Sequence, residues 1–363
     1  MKSLIIFALA AGSAARPSHV RRSLHSSLAP PNGSSSAGKV QYGGVNIAGF
    51  DFGCVIEGAC DLTDTFDIAS DGNGVEQMDH FVQDLGLNVF RLPVGWQFLV
   101  NDQLGGQLDD TNAASYDALV QGCLDSGSEL CIIDIHNYAR WDGGIVGQGG
   151  PEDDDLVSLW SQLAEKYADE GKVVFGVMNE PHDIPDIETW AETVQKVVTA
   201  IREAGATSQM ILLPGNDFTS AANFVDNGSG AALMQVTNPD GSTDGLIFDV
   251  HKYLDEDNSG THTDCVTNNI DEAFSPLADW LRENSRMAFL SESGGGNTDS
   301  CLQYMCEQLD FLNDNSDVYL GWTGWSAGGF DQEYELVETP VQNGDSWEDA
   351  PLMTQCVAGK FSS

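Results

Sequence analysis

The sequence predicts an α/β fold, a single (β/α)8 TIM barrel, on three observations. From Gly43 onward, short apolar runs alternate with amphipathic stretches, which is typical of βα units rather than of a β-sandwich. Eight such apolar runs can be counted, the number of strands that closes this barrel. Polar residues cluster where these runs end, as at the functional edge of a barrel. A doubly wound sheet is the alternative, but no G-x-G-x-x-G follows the first run.

The strand-like and helix-like segments can be placed along the chain. The predicted strands are Val45–Phe50, Val89–Val94, Cys131–Asn137, Val173–Asn179, Met210–Gly215, Leu246–Tyr253, Met287–Glu292 and Tyr319–Ser326. Helical periodicity marks Leu156–Ala168 and Trp190–Ala204 between them. The helical spacing predicts that Trp160 and Trp190 belong to the core. Four consecutive acids, Glu152 to Asp155, open the first of these helices, where negative charge is favourable.

The N-terminal residues predict that the protein is secreted, and the chain divides into three segments. Residues 1–15 carry Lys2, an apolar run and small residues, which is the pattern of a signal peptide. Residues 16–40 are rich in Ser, Pro and Gly and lack Trp and Cys, so we expect a disordered propeptide or tail. We expect residues 41–363 to form one (β/α)8 domain. No later apolar run approaches the length of a membrane anchor, so we expect a secreted, extracellular protein.

The charge balance limits the partners. The chain has 15 basic and 56 acidic residues, and the first 39 residues hold five of the bases and none of the acids. The remaining 10 bases against 56 acids give the rest of the chain a formal charge of −46. Such a surface repels nucleic acid and anionic membranes, so we expect neither as a partner and a neutral or cationic ligand instead. We also expect a monomer.

The eight cysteines all follow residue 40, and an even number behind a signal peptide predicts disulfides. Cys54 with Cys60, and Cys123 with Cys131, are spaced for local bridges, whereas spacing leaves the other pairings open. A zinc site is disfavoured because no C-x-x-C occurs.

Two glutamates at predicted strand ends suggest the chemistry. Hydrolysis of a glycosidic bond needs one carboxylic acid to protonate the leaving oxygen and one carboxylate to attack or to activate water. Glu180 and Glu292 supply such a pair. A guanidinium such as Arg91 would keep the nucleophile ionised and oriented, and Asn179 could bond the sugar's 2-hydroxyl. Lys252 and Arg140 also lie near strand ends, although basic residues are scarce.

Five segments of the chain resemble glycoside hydrolase family 5. They are N-V-F-R-L-P-V-G-W (88–96), D-I-H-N-Y-A-R-W (134–141), M-N-E-P-H-D (178–183), F-D-V-H-K-Y-L-D (248–255) and S-E-S-G-G-G (291–296). The resemblance spans roughly residues 41–358. It implies a retaining endo-β-1,4-glucanase that hydrolyses cellulose and soluble β-glucans by double displacement, without metal or cofactor.

The resemblance also implies a role for each motif residue. The acid/base falls on Glu180 and the nucleophile on Glu292, with supporting residues at Arg91, His136, Asn179, His251, Tyr253 and Trp325. Arg91 and Tyr253 would hold the nucleophile, His251 would lie near the acid/base, and Trp325 would stack on a sugar. Relatives further suggest the disulfides Cys54–Cys60, Cys123–Cys131, Cys265–Cys301 and Cys306–Cys356. Many relatives carry an N-terminal cellulose-binding module and linker, for which this chain has only its short tail.

Several readings stay open. Another family 5 β-glycanase, such as a mannanase, or a non-catalytic carbohydrate-binding protein would keep the same cleft. Trp96, Trp141 and Trp322 could contact sugar or pack in the core, and His182 has no assigned role. Asn32 and Asn227 match the N-glycosylation pattern.

Overall fold

The computed structural model describes residues 38–362, which contain a closed barrel of parallel strands. The barrel strands are β1 (Tyr42–Ala48), β2 (Val89–Val94), β3 (Leu130–Ile135), β4 (Val173–Gly176), β5 (Ile211–Pro214), β6 (Leu246–His251), β7 (Ala288–Ser293) and β8 (Tyr319–Gly328). Each strand pairs with the next in sequence, and β8 pairs back with β1. The predicted (β/α)8 fold is confirmed.

The predicted strand positions are correct, and the ends differ by a few residues. β2 has the predicted bounds, whereas β4 ends at Gly176 rather than at Asn179 and β6 ends at His251 rather than at Tyr253. The prediction ran past these points because Val177 and Met178 after β4, and Tyr253 after β6, are apolar or aromatic and stay buried outside the sheet. Burial, and not pairing, is what the sequence pattern reports there.

Helices surround the barrel. They are α1 (Gly74–Gln83), α2 (Trp96–Leu99), α3 (Asp110–Asp125), α4 (Asp153–Lys166), α5 (Ile187–Glu203), α6 (Ser229–Leu233), α7 (Ser275–Glu283), α8 (Asp299–Asp314) and α9 (Gly359–Ser362). Two π-helical turns, Ile270–Phe274 and Met353–Val357, precede α7 and α9. Two short hairpins pair Arg140–Trp141 with Gly144–Ile145 and Val341–Asn343 with Ser346–Glu348.

The start of α4 shows how the acidic run is used. The Glu152 side chain accepts from the backbone at the third helical position, and the Asp155 carboxylate accepts from the Glu152 backbone N–H. This reciprocal arrangement satisfies amides that have no partner within the helix. The predicted role of these acids at a helix N-terminus is therefore confirmed.

The core has two layers. Inside the barrel, alternate apolar residues from neighbouring strands pack together, among them Ile132, Leu212 and Phe289. A larger cluster lies between strands and helices and contains Trp160 and Trp190 as predicted. Trp96 and Trp322 are also fully buried. These two rings therefore belong to the core and are not available to a sugar.

Four disulfides connect the described residues, and their pairings are those that the family resemblance implied: Cys54–Cys60, Cys123–Cys131, Cys265–Cys301 and Cys306–Cys356. Near the start of the described range, Val40 is buried and its N–H donates to Asn313 Oδ1 at 3.1 Å. The predicted signal peptide and most of the 16–40 segment, with Asn32, lie outside the described residues. Within 38–362, the structure contains no helix with the length and apolarity that a membrane crossing requires.

Candidate active site

A cleft of about 750 Å³ opens at the carboxyl ends of the strands. Its lining includes the predicted site residues Glu180, Glu292, His136, Tyr253 and Trp325. The other three are hydrogen-bonded within the same group: Arg91 donates to Glu292 and to Asn179, and His251 bonds Glu180. The topology explains this gathering, because parallel strands in register bring their carboxyl ends to one edge of the barrel. All eight predicted site residues therefore lie in one cluster.

Glu292, near the end of β7, has partners on both carboxylate oxygens. Its Oε1 accepts from Arg91 Nη1, and its Oε2 accepts from the Tyr253 hydroxyl at 2.8 Å. His251 Nδ1 lies 3.4 Å from the same Oε2. The side chain of Glu292 is only 4% exposed, so these contacts fix the carboxylate in one orientation. A registry shift between β6 and β7, after Val250, precedes the pairing of His251 with Glu292.

The Arg91 guanidinium, like the Glu292 carboxylate, has several partners that fix its orientation. Its Nη1 also donates to Asn46 Oδ1 at 2.9 Å, and its Nη2 donates to Asn179 Oδ1 at 2.7 Å. Asp134 Oδ1 lies 3.0 Å from Nη2 as an ion-pair partner. The guanidinium is fully buried and cannot rotate without leaving one of these groups unpaired.

The charges around Glu292 determine its protonation state. Burial by itself would raise the pKa of the Glu292 carboxyl, but His251, Arg91 and His136 together lower the pKa below its ordinary value. Tyr253 lowers it further through its hydrogen bond, while burial raises the pKa of the Tyr253 hydroxyl. Glu292 is therefore kept as a carboxylate in a site that would otherwise favour its neutral form.

His251 connects the two glutamates. Its Nδ1 lies 2.7 Å from Glu180 Oε1, and its Nε2 lies 2.8 Å from the Ser291 hydroxyl, which donates to Asp249. Burial would lower the pKa of His251, but Glu292 and Glu180 raise it above its ordinary value. A protonated ring can donate to Glu180 and attract Glu292 at the same time.

Glu180 follows β4 in an unusual backbone conformation. Its φ is +40°, in the left-handed region that residues with a Cβ seldom occupy and that costs on the order of 1–3 kcal/mol. The side chain is 15% exposed and reaches into the cleft. One oxygen of Glu180 and one of Glu292 lie within 4.8 Å of each other. The strained turn therefore presents Glu180 to the cleft opposite the buried Glu292.

One wall of the cleft is aromatic. The Trp325 ring stacks on His136 with centroids 5.4 Å apart and planes 12° from parallel, and its indole N–H donates to the Tyr334 hydroxyl at 3.0 Å. His136 Nδ1 lies 2.8 Å from Asp134 Oδ2 and its Nε2 lies 3.3 Å from Asn179 Nδ2. Burial would lower the pKa of His136, but its bond to Asp134 raises it.

Another wall of the cleft contains Phe218, which the sequence did not single out. Phe218 is 36% exposed in the loop after β5 and stacks on His182, with centroids 4.5 Å apart. His182 Nε2 lies 3.0 Å from the Ile56 carbonyl oxygen, inside the Cys54–Cys60 loop. His182 therefore joins three loops around this wall. No local pattern marks a loop phenylalanine as part of a cleft, so only the tertiary arrangement reveals Phe218.

Asn46 was also missed, although the sequence contains a signal for it. It lies in β1 among apolar residues and is fully buried. Its Nδ2 donates to the carbonyl oxygens of Ser291 and Gly324, while its Oδ1 accepts from Arg91. A lone amide in an apolar strand indicates a buried polar contact, since burial without a partner would be costly.

Two groups of residues within 38–362 bring carboxylate and imidazole atoms close enough to share a cation. One is Glu180, His251 and Glu292, and the other is Asp255, Asp257 and His262. In the first group, the Glu292 oxygens already accept from Arg91 and Tyr253. In the second, Asp255 Oδ2 already accepts backbone N–H groups from Thr261 and His262. These hydrogen bonds account for the geometry of both groups.

Comparison with known proteins identifies the family. The profile of cellulase (glycosyl hydrolase family 5) matches residues 55–328. Endoglucanase EG-II of Hypocrea jecorina is 62% identical over 328 residues, which are 88% of this chain and 78% of that protein. The crystal structure of Cel5A (EG2) from Hypocrea jecorina superposes with a TM-score of 0.87 at 61% identity, covering 89% of this chain and 99% of that one. XacCel5A in complex with cellopentaose matches with a TM-score of 0.78 at 30% identity, covering 88% and 99%. The chain belongs to glycosyl hydrolase family 5, the cellulase family.

Proposed function

We propose that this protein is a retaining endo-β-1,4-glucanase that cleaves internal bonds of cellulose and soluble β-glucans. The observation that carries the proposal is the pair of glutamates, with one oxygen of each within 4.8 Å of the other and with opposite environments. A separation near ~5 Å leaves no room for a water between the carboxylate and the sugar, so the carboxylate itself attacks.

Glu292 is the nucleophile in this proposal. Its pKa is lowered by the neighbouring His251 and Arg91 against the effect of burial, so it is ionised when the substrate arrives. Attack of a Glu292 oxygen on the anomeric carbon forms a glycosyl ester and breaks the bond to the leaving oxygen. Arg91 and Tyr253 hold the two carboxylate oxygens, so one lone pair can be aimed at the sugar without reorganisation.

Glu180 is the acid/base. It donates its proton to the leaving oxygen in the first step and takes a proton from the attacking water in the second. His251, at 2.7 Å, holds the Glu180 carboxyl in position, and its contact with Glu292 couples the two groups.

The remaining residues position the sugar. Trp325 offers an aromatic face, and the apolar face of a glucose ring stacks on such a surface. Asn179 and His136 lie beside Arg91 beneath the same wall, where their N–H groups can bond the ring hydroxyls next to the anomeric carbon. Phe218 lies near Glu180, because its backbone N–H donates to the Pro181 carbonyl oxygen at 3.0 Å, and the leaving sugars would lie on this side.

The proposal for the substrate rests on relatives. A protein 62% identical to this chain is called endoglucanase EG-II, and XacCel5A has been crystallised with cellopentaose. We further propose a secreted monomer with a signal peptide at 1–15, a tail at 16–40 and one catalytic domain at 41–363. The net charge of −41 supports a neutral polymer rather than nucleic acid as the partner.

Substitution of the two glutamates tests the mechanism. We expect Glu292→Ala to lose turnover of carboxymethylcellulose because no glycosyl ester can form, and added azide to restore cleavage partly with inverted stereochemistry. We expect Glu180→Ala to slow substrates with poor leaving groups most. Products followed by NMR should appear first as the β anomer. Near wild-type activity in both variants, or an initial α anomer, would contradict the proposal.

The substrate preference needs a separate measurement. Products from carboxymethylcellulose, mannan and laminarin should be compared for the purified protein. Rapid release of short oligosaccharides from the β-1,4-glucan is expected. Faster cleavage of mannan would identify a mannanase instead, and release of no reducing ends would indicate a carbohydrate-binding protein.

A further inference from the structure

Lys252 differs from the other basic residues that the structure describes. Every Lys and Arg in 38–362 except Lys252 has a hydrogen bond or an ion pair with the protein. The paired residues are Lys39, Arg91, Arg140, Lys166, Lys172, Lys196, Arg202, Arg282, Arg286 and Lys360. In a chain with 56 acidic side chains, an ammonium without such a partner is unexpected. Its donors are available to a ligand.

Lys252 lies in the active-site cleft. It follows β6 directly, between His251 and Tyr253, which contact the two glutamates. Its backbone N–H donates to the Glu292 carbonyl oxygen at 3.1 Å, which fixes the position of its Cα. The side chain is half-buried and forms part of the cleft lining.

The surroundings place Lys252 on the side of the cleft where the leaving sugars would lie. Asp217, in the loop after β5, is near enough to influence the ammonium. That loop is tied to the residue before Lys252, because Ala221 N–H donates to the His251 carbonyl and His251 N–H donates to Thr219. The stack of Trp325 on His136 lies on the strands β8 and β3 across the barrel mouth.

We propose that Lys252 is a specificity-determining residue that donates hydrogen bonds to hydroxyl groups of the first sugar on the leaving side. The inference rests on the proposed function and deepens it. An ammonium carries three donors and no acceptor, which suits the adjacent hydroxyls of a sugar ring. A hydrogen bond from a charged donor contributes more than one from a neutral group.

The electrostatics of the cleft select a neutral sugar for this contact. Glu180, Asp217, Asp257 and Glu292 all line the cleft, so an anionic substituent would be repelled. Burial lowers the pKa of Lys252 from its ordinary value, while Glu272, Asp255 and Asp217 oppose that shift. These carboxylates favour the ammonium form without contacting it, so the charge is kept and the donors stay free.

The test compares two substrates that differ in what leaves. Cellopentaose releases a sugar, whose ring hydroxyl groups would lie near Lys252. Cleavage of 4-nitrophenyl β-cellotrioside at its aryl bond releases 4-nitrophenol, which has no sugar hydroxyl groups at that position. We expect Lys252→Met to lower kcat/KM for cellopentaose about ten-fold more than for the aryl glycoside, since one charge-assisted hydrogen bond is lost only with the sugar. Lys252→Arg, which keeps charged donors, should recover part of the difference.

A matched control removes a lysine outside the cleft. Lys166 pairs with Asp117 on the surface of the barrel, and Lys166→Met should keep the wild-type ratio of the two kcat/KM values. An equal loss on both substrates in Lys252→Met would show that the residue acts through Glu292 or the fold, and would overturn the inference. No loss on either substrate would overturn it as well.

Failure of the inference can be told from failure of the proposed function. Wild-type protein that cleaves neither cellopentaose nor the aryl glycoside would refute the proposed function before any variant is compared. Wild-type protein that cleaves both, with an unchanged ratio in Lys252→Met, would refute the inference alone.

Discussion

Replacement of Arg91 by lysine tests whether the fork of the guanidinium, and not merely its charge, prepares Glu292. Arg91 uses Nη1 for Glu292 and Asn46 and Nη2 for Asn179 and Asp134. A lysine keeps the positive charge but has a single nitrogen at its tip. The lysine nitrogen can take over the contacts of Nη1 or those of Nη2, but not both. Either Glu292 and Asn46 or Asn179 and Asp134 are then left without a donor.

The magnitude follows from those contacts. A hydrogen bond to a charged group contributes about 1.5–3 kcal/mol, and a buried polar group left unpaired costs about 1–3 kcal/mol. We therefore expect Arg91→Lys to lower the free energy of unfolding by about 3 kcal/mol or more. If Glu292 also tilts by an ångström, kcat/KM should fall by about 100-fold.

Urea unfolding and kcat/KM on a soluble β-glucan, both near pH 5, measure the two effects. Arg282→Lys is the matched control, because Arg282 pairs with Asp317 through two nitrogens but at 38% and 48% side-chain exposure. That surface pair should contribute at most about 1 kcal/mol, with activity unaffected. Arg91→Lys with kcat/KM within about three-fold of wild type would refute the claim that the guanidinium orients Glu292.

Three further predictions concern stability. Replacing Cys306 and Cys356, 50 residues apart, by alanine should cost about 4 kcal/mol from loop entropy, against about 2.5 kcal/mol for Cys123 and Cys131, 8 apart. Equal costs in urea unfolding, or free thiols in the denatured, unreduced wild type, would contradict this. Self-repulsion among 56 acidic groups predicts that ~1 M sodium chloride raises the Tm more at pH 8 than at pH 5, and a Tm at pH 8 that salt leaves unchanged or lowers would count against it. Glu338 is fully buried, and burial raises its pKa to about 8. Between its unfolded pKa and about pH 8 the folded state therefore binds a proton that the unfolded state has lost, so the free energy of unfolding falls as pH rises through this range. The free energy of unfolding of Glu338→Gln, relative to that of the wild type, should therefore rise by about 3 kcal/mol between pH 5 and pH 8. Parallel pH profiles of unfolding for the two proteins would show that Glu338 does not titrate in this range.

Much of the fold could be predicted from the sequence, because burial leaves a periodic trace. The run Val89–Val94 is apolar apart from Arg91, and it became β2 with the predicted bounds. The residue that broke this pattern, Arg91, lies beneath the cleft. The ends of β4 and β6 could not be placed, because Val177, Met178 and Tyr253 stay buried after strand pairing has stopped.

The sequence was least informative for residues whose role depends on a distant partner. Trp96 and Trp322 have the same local character as Trp325, yet the first two are buried in the core and only Trp325 lines the cleft. Phe218 lies in the cleft because its loop packs on His182, which no spacing in the sequence encodes. The sequence places Lys252 near a strand end. That its ammonium has no partner among residues 38–362 can be seen only from the positions of the neighbouring carboxylates in the folded structure.

Residue order and composition are enough to predict the succession of βα units, the polar residues at their ends and the excess of acidic side chains. Which of these polar groups meet, and how they influence one another, depends on the folded barrel. Glu180 and Glu292 are 112 positions apart in the chain, yet one oxygen of each lies within 4.8 Å of the other. The pKa of Glu292 is lowered because His251 and Arg91, which come from other strands, outweigh the opposing effect of burial. Electrostatic coupling depends on distance and local dielectric, and both exist only once the barrel has closed.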